Sequence, residues 1–464
     1  MKGDFSKMTF APDKNFLRVL MQQGRVQLDA DENEQVAILL HYMQTLAADL
    51  IGPYAGPEGN NLGFKINVTA DKTNLSIGKG RYYVDGVLCE NHHDDATYFK
   101  QPDYPLDAKT DALSPGVHLV YLDVWERHIS YLEDDDIREK ALNGLDTSTR
   151  SKVIWQVKTK ELTNGQTWLD GVSALKEERV LSEVCLRAGV HPVEAKSDAC
   201  CQHPDASYRG AENQLYRIEI HNPGNSDHTP TFKWSRDNGA VAFPVTAITA
   251  DAVAKTMTVE LENLGRDAKS TLSVNDWVEL VDDDCVLRQT NNLLCQVYSI
   301  DNMTRTVVLT GISPVIYHPD KHPLIRRWDQ KGADVNADGV AIKSPGWLPI
   351  EAGIEIEFKL GETPLRTGDY WLIPARTSTG QVEWPSQRDN DGNIVPAFMR
   401  PIGVEHRYAP LAIIMVSASG NVDLSTGVPD FRCSFKPLAY GCQYSYYGRL
   451  GQGIGTGLLC PEEE

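Results

Sequence analysis

No stretch of this 464-residue sequence is long and apolar enough to span a bilayer, which takes about 20 residues. The longest apolar-rich windows are residues 37–51, interrupted by His41 and Asp49, and 409–416. The opening MKGDFSKMTFAPDK lacks the apolar core of a secretory signal, so synthesis in the cytoplasm without membrane insertion is expected. Basic residues are outnumbered, 45 against 64 acidic, for a formal charge of −19. Such a surface repels phosphate, no basic stripe reverses it, and nucleic acid and anionic membranes are poor partners. The nine cysteines are odd in number, which without export points to reduced thiols rather than a disulfide framework.

Catalytic signatures are also missing. There is no G-x-S-x-G elbow, no H-E-x-x-H pair and no Walker-type phosphate loop. The alternating glycines at Gly451, Gly453, Gly455 and Gly457 lack the strand–turn–helix context of a dinucleotide site. The expectation is a protein that is not an enzyme and carries no organic cofactor.

What is present is an ordinary globular balance, 41% hydrophobic and 23% charged, in a chain long enough for two to four domains. One long helix is predicted near the start. Asp31 and Glu34 have capping-box spacing, and Val36, Leu39, Leu40, Met43, Leu46, Ala47 and Leu50 follow a helical period up to Gly52-Pro53. The rest reads as β. Phe64, Ile66 and Val68 alternate with polar residues, and 80–88 forms a hairpin about Asp85-Gly86. Residues 117–129 read as a strand covered on both faces. Five short strands in about 70 residues, roughly 241–310, predict a small closed barrel, SH3-like or similar.

The fold class expected is therefore mainly β with one long N-terminal helix and several β domains. The boundaries read are 1–60 for an attachment segment and helix, 61–235 for a β-rich domain and 236–312 for the barrel. Residues 313–440 read as a β and loop continuation packed on 61–235, and 441–464 as a glycine-rich tail.

Several ligand sets compete with structural readings. Asp334, Asn336 and Asp338, followed by Gly339, open a calcium-type loop, but Pro345 holds the position where a twelfth-residue acid belongs. A solvated Asp/Asn turn is the other reading. Glu90, His92, His93, Asp94 and Asp95 read as a solvated loop, and adjacent Cys200-Cys201 does not fit zinc spacing with His191 and His203. Asp123 and Glu126 form an acid pair with no further catalytic context. Trp234, Trp371 and Trp384, with Tyr444, Tyr446 and Tyr447, would either present a sugar-binding surface or fill cores.

Longer motifs carry a resemblance. MKGDFS, QQGRVQLDAD at 22–31, NEQ at 33–35, GRYYVDGVLCEN at 80–91, YLDVWERHI at 121–129, ENQLYRIEIH at 212–221, KWSRDNG at 233–239 and RTGDYWLIPART at 366–377 span nearly the whole chain. They resemble an uncharacterised bacterial family encoded with contractile injection systems and other phage-tail-like particles. One departure is Glu32, where that family usually carries Trp. The start also resembles the attachment module of phage tail-fibre and baseplate proteins, through Lys14-Asn15-Phe16, Val19-Leu20, Gly24-Arg25 and residues 31–34. The resemblance implies a structural or adaptor subunit (baseplate-associated, cage or fibre-like) of a particle that is in some systems released. It implies other particle subunits as partners and a homo-oligomer, with a trimer the common form. Phe5, Phe10, Phe16, Leu20, Arg25, Asp29 and Asp31 are the docking residues it implies. The alternative is a carbohydrate-binding or carbohydrate-degrading receptor-binding protein.

Overall fold

The computed structural model describes residues 1–436 apart from Lys7, Asn164, 179–181, 191–206, 226–227, Ala268, Asn291, 312–316, Ala333, Glu362, Pro364 and 425–429. Alternation of side chains places its strands. In Val87–Asn91, Val87, Cys89 and Asn91 point inward while Leu88 and Glu90 point out. Asp85 and Gly86, at φ 46° and 79°, form the two-residue turn that returns this strand onto Gly80–Val84. Tyr54–Pro57 and Ser434–Phe435 extend the same sheet.

A second sheet runs in the order Val422–Leu424, Arg407–Val416, Gly116–Ile129, Arg150–Leu162. One core joins the two sheets, where Phe64, Tyr82 and Val84 meet Val120, Leu122, Trp155, Leu411 and Ile414. Gly116–Ile129 is buried on both faces for most of its length, as its mostly apolar, non-alternating sequence predicted. Its other face packs Leu119 and Tyr121 against Leu175, from a helix at Trp168–Glu178 that was not expected.

The next body is a six-stranded sheet in the order Val335–Asn336, Gly339–Ala341, Thr231–Ser235, Gln214–Asn222, Tyr370–Arg376, Gln381–Val382. A three-stranded sheet of Trp347–Pro349, Ile354–Lys359 and Cys185–Val190 accompanies it. Leu186, Ile218, Phe232, Ile356, Phe358 and Trp371 form their shared core. The third body is a closed barrel, Ala242–Asp251, Thr256–Leu261, Thr306–Thr310, Leu294–Asp301, Trp277–Val281 and Leu324–Trp328, filled by Met257, Val259, Val278, Val297 and Leu309.

The fold is thus mainly β with several sheets and a barrel, as expected, but the pairings cut the chain differently. Leu324–Trp328 lies beyond the 236–312 limit, yet it pairs with both Ala242–Asp251 and Trp277–Val281 and closes the barrel. Without it two strands would keep open edges. The 61–235 stretch is shared by two bodies, and 313–436 contributes strands to all three.

The long helix, α1, is Asp29–Ile51. It starts two residues before the expected cap: Leu28 is the N-cap and makes no side-chain cap bond. Glu34 is instead hydrogen-bonded by the Thr9 hydroxyl, and Asp29 by that of Ser6. Acids in the first turn suit the positive end of the helix dipole. At the other end Gly52 N–H donates to the Ala48 carbonyl at 2.8 Å. Among the described residues no helix is long and apolar enough to cross a membrane.

Candidate assembly surface

The first residues are threaded into the place where the three bodies meet. Lys2 Nζ lies 2.6 Å from Glu219, and Gly3 N–H donates to Asn238 O at 3.2 Å while Asn238 Nδ2 donates to Gly3 O at 3.1 Å. A Cβ on Gly3 would sit 2.6 Å from the His128 ring, against which Phe5 also packs. Lys2 is one member of a buried charge cluster. Arg217 Nε donates to Glu219 at 2.6 Å, Lys233 lies 3.5 Å from Glu219 and 2.6 Å from Glu279, and the Trp328 indole N–H donates to Glu279 at 2.9 Å. Arg217 and Lys233 also face the rings of Tyr370 and Trp328, at 3.5 and 4.6 Å.

Burial alone would push the Glu219 carboxyl up, but the charges of Lys2, Arg217 and Lys233 outweigh it and hold the group far below the usual range. Burial lowers Lys2 to about 8 against the opposing pull of Glu219. These residues come from Gln214–Asn222, Thr231–Ser235 and two barrel strands, so the cluster rivets the six-stranded sheet to the barrel with the chain start between them. None of it was singled out from the sequence. The available signal was charge alternating with apolar residues in LYRIEI, 215–220, which resembles an ordinary solvent-facing pattern.

From Phe5 onward the chain leaves this socket and lies along α1. The Phe10 ring packs tilted against His41 at 5.4 Å, and Val19 N–H donates to Gln35 Oε1 at 2.9 Å. The Gln44 backbone rests on the Asp85-Gly86 turn, where a Cβ on Gly86 would meet Gln44 O at 2.0 Å. Ile38 is the one buried residue of α1.

The opposite side of the helix faces solvent. Val36, Leu39, Met43, Leu46 and Leu50 are between 46% and 69% exposed. Spaced alternately three and four apart, they share one face. Phe16, Leu17, Leu20, Met21, Val26 and Leu28 on the preceding arm are exposed as well. Apolar exposure on this scale along one helix face is uncommon on a monomer.

The seven expected docking residues divide accordingly. Phe5 and Phe10 are half-buried against the chain's own His128 and His41, so they hold the arm rather than present it. Phe16, Leu20, Arg25 and Asp29 are exposed, and Asp31 is half-buried. The exposed helix face is larger than the set expected.

The remaining candidates fall elsewhere. Asp334, Asn336 and Asp338 lie on a tight hairpin, where Lys343 pairs with Asp334 at 3.2 Å and Asn336 Oδ1 accepts the Asp338 amide at 2.8 Å. That is the turn geometry of the competing reading, and the Asp334 carboxylate already has a cation. Asp94 and Asp95 pair with Lys79 and Lys100. Asp123 is buried between Lys158 and His406, each at 2.7 Å, while Glu126 accepts from Ser151 Oγ at 2.9 Å. Trp234 and Trp371 are buried in the second core, so they are not a sugar-binding surface, and half-buried Trp384 donates to Ala397 O at 2.8 Å. Residues 191, 200, 201 and 203, Tyr444, Tyr446, Tyr447 and the glycine-rich tail lie outside the described residues.

No curated protein and no solved structure matches the chain. Residues 1–184 and 174–423 match the Family of unknown function (DUF6519), and the two matches overlap from the second half of the Trp168–Glu178 helix to Val184, between the strands of the first body and those of the second. The chain belongs to this family.

Proposed function

We propose that this protein is a non-catalytic structural or adaptor subunit of a contractile injection system or related phage-tail-like particle, docked through its N-terminal arm and α1. The observation that carries the reading is the solvent-facing apolar side of α1, together with exposed Phe16, Leu17 and Leu20 on the arm that precedes it. A chain that leaves this much apolar surface in water gains by burying it against a neighbour, at about 25 cal/mol per Å². The buried anchor at Lys2 and Glu219 supports the same reading. It fixes the arm's root on the globular part, so a neighbour gripping the arm is held in defined geometry. The sequence resemblance supplies the kind of assembly.

The test is mass spectrometry of tail-like particles purified from the native host. The chain is expected at a fixed ratio to the other particle proteins. Phe16→Asp with Leu20→Asp, both at exposed positions, should leave a folded protein that is missing from the particles. Particles lacking the unaltered chain would end this reading.

A further inference from the structure

The spacing of the exposed apolar residues on α1 identifies what covers them. Val36, Leu39, Met43, Leu46 and Leu50 alternate three and four apart, the repeat that keeps one helix seam facing another. Val36, Met43 and Leu50 take one core position of that repeat, Leu39 and Leu46 the other. Flanking positions hold Gln35, Leu40, Tyr42 and Ala47, with Asp49 the one charge, so along Val36–Leu50 like charges do not oppose a copy of the same helix. Two heptads are marginal for a free peptide, which must fold in order to pair. Here the ordering cost is already met, because the opposite side of α1 is seated on Gly86 and wrapped by the arm.

Charge gives the orientation. α1 carries Asp29, Asp31, Glu32, Glu34 and Asp49 and no Lys or Arg, whereas residues 14–28 carry Lys14, Arg18 and Arg25 and no acid. Among the described residues Arg18 and Arg25 make no ion pair, and neither do Asp31 and Glu32. Opposite charges left unmatched within one chain are complementary between two. Parallel helices gather the acidic first turns at one end, where every arm arrives. Antiparallel helices would set each first turn beside a neighbour's Asp49, far from the arms.

We infer that α1 is a self-association seam: a second copy of this chain packs its own α1 parallel and in register along Val36, Leu39, Met43, Leu46 and Leu50. The arm cations Arg18 and Arg25 of each copy face the first-turn acids of the next. This deepens the assembly reading by naming the partner as another copy, and its test needs no particle.

The full chain is run on size exclusion with light scattering across a dilution series. The unaltered protein is expected to show a mass of two or more chains, and Leu39→Glu with Met43→Glu the mass of one, with unchanged far-ultraviolet circular dichroism. A second measurement does not depend on that variant. Val36→Cys, at one end of the seam, under mild oxidation should give a covalent dimer that neither the unaltered chain nor Thr45→Cys, on the same side of the helix as Ile38, produces. An unaltered chain that stays single at every concentration overturns the inference, as does an assembly indifferent to the glutamates. Failure of Val36→Cys to cross-link overturns the parallel register, since antiparallel helices would set Val36 against Leu50 of the other copy. A single chain that still enters particles would leave the proposed function standing and remove self-association.

Discussion

Glu219 shows what a single charged residue can do in a β protein. It is 1% exposed and lies among Lys2, Arg217 and Lys233, with Glu279 the only other anion of the cluster. Taking its charge away leaves buried Arg217 and Lys233 and half-buried Lys2 against one carboxylate. Unpairing buried charges typically costs about 3–5 kcal/mol, much of it the penalty on the partners left behind. Glu219→Gln is therefore expected to lower the unfolding free energy by that order, read as a lower urea midpoint, and Asp423→Asn to leave the midpoint in place, because the Lys72–Asp423 pair is more than half exposed on both sides. Equal midpoints for the two variants would show that the cluster holds nothing together.

At the scale of elements, α1 is held by few contacts, and Gly86 is the one that backbone geometry makes indispensable. Its φ of 79° disfavours any other residue, and an added Cβ would overlap the Gln44 carbonyl. Gly86→Ala should shift the helix off the hairpin, raising amide hydrogen exchange across Asp29–Ile51 while the barrel strands keep their protection. Unaltered exchange in α1 would show that the helix is seated elsewhere. The hairpin and α1 itself were legible because turn chemistry and helical periodicity are local. The Trp168–Glu178 helix was missed even though Thr167 and Asp170 form a reciprocal cap, at 2.7 Å to the Thr167 N–H and 3.3 Å from the Asp170 N–H. Its apolar residues Trp168, Val172 and Leu175 have helical spacing, but over only 11 residues with Gly171 among them the period is too short to stand out. The sixth barrel strand was missed for another reason. Leu324–Trp328 follows a proline-rich connection and finds its partners about 45 and 80 residues back, which no window pattern reports.

For the whole molecule, buried histidines set the response to acid. Burial, reinforced by the Lys233 charge, lowers His221 from the ordinary 6.5 to about 4, and burial with Arg326 nearby lowers His128 to about 4. Between those values the unfolded chain binds protons that the folded one refuses, so the stability these two groups govern is full above about pH 6.5 and falls toward pH 4. For His221, 1% exposed, the shift corresponds to about 3 kcal/mol. Asp369, raised by burial to about 6, works the other way and gains stability as pH falls through the same window, offsetting part of the loss. The midpoint of thermal unfolding should therefore decline from pH 6.5 to 4, and His221→Gln should flatten that slope whatever it does to the midpoint at pH 7. An unchanged slope in the variant would mean that His221 does not carry the acid response.

Composition and period alone determined that this chain is mainly β, that it opens with a long amphipathic helix, and that a small barrel sits in its middle third. Each depends on neighbours in sequence, through turn residues, side-chain alternation and helical spacing. Only the tertiary structure decided which faces meet water. Alternation in LYRIEI placed Arg217 and Glu219 on one side of a strand, but only the arrival of the barrel and of Lys2 made that side an interior. Periodicity likewise gave α1 an apolar face, and only its seating through Ile38 and Gln44 showed that most of that face points away from its own body. A sequence pattern sorts side chains into faces; contacts made hundreds of residues apart determine which face is inside.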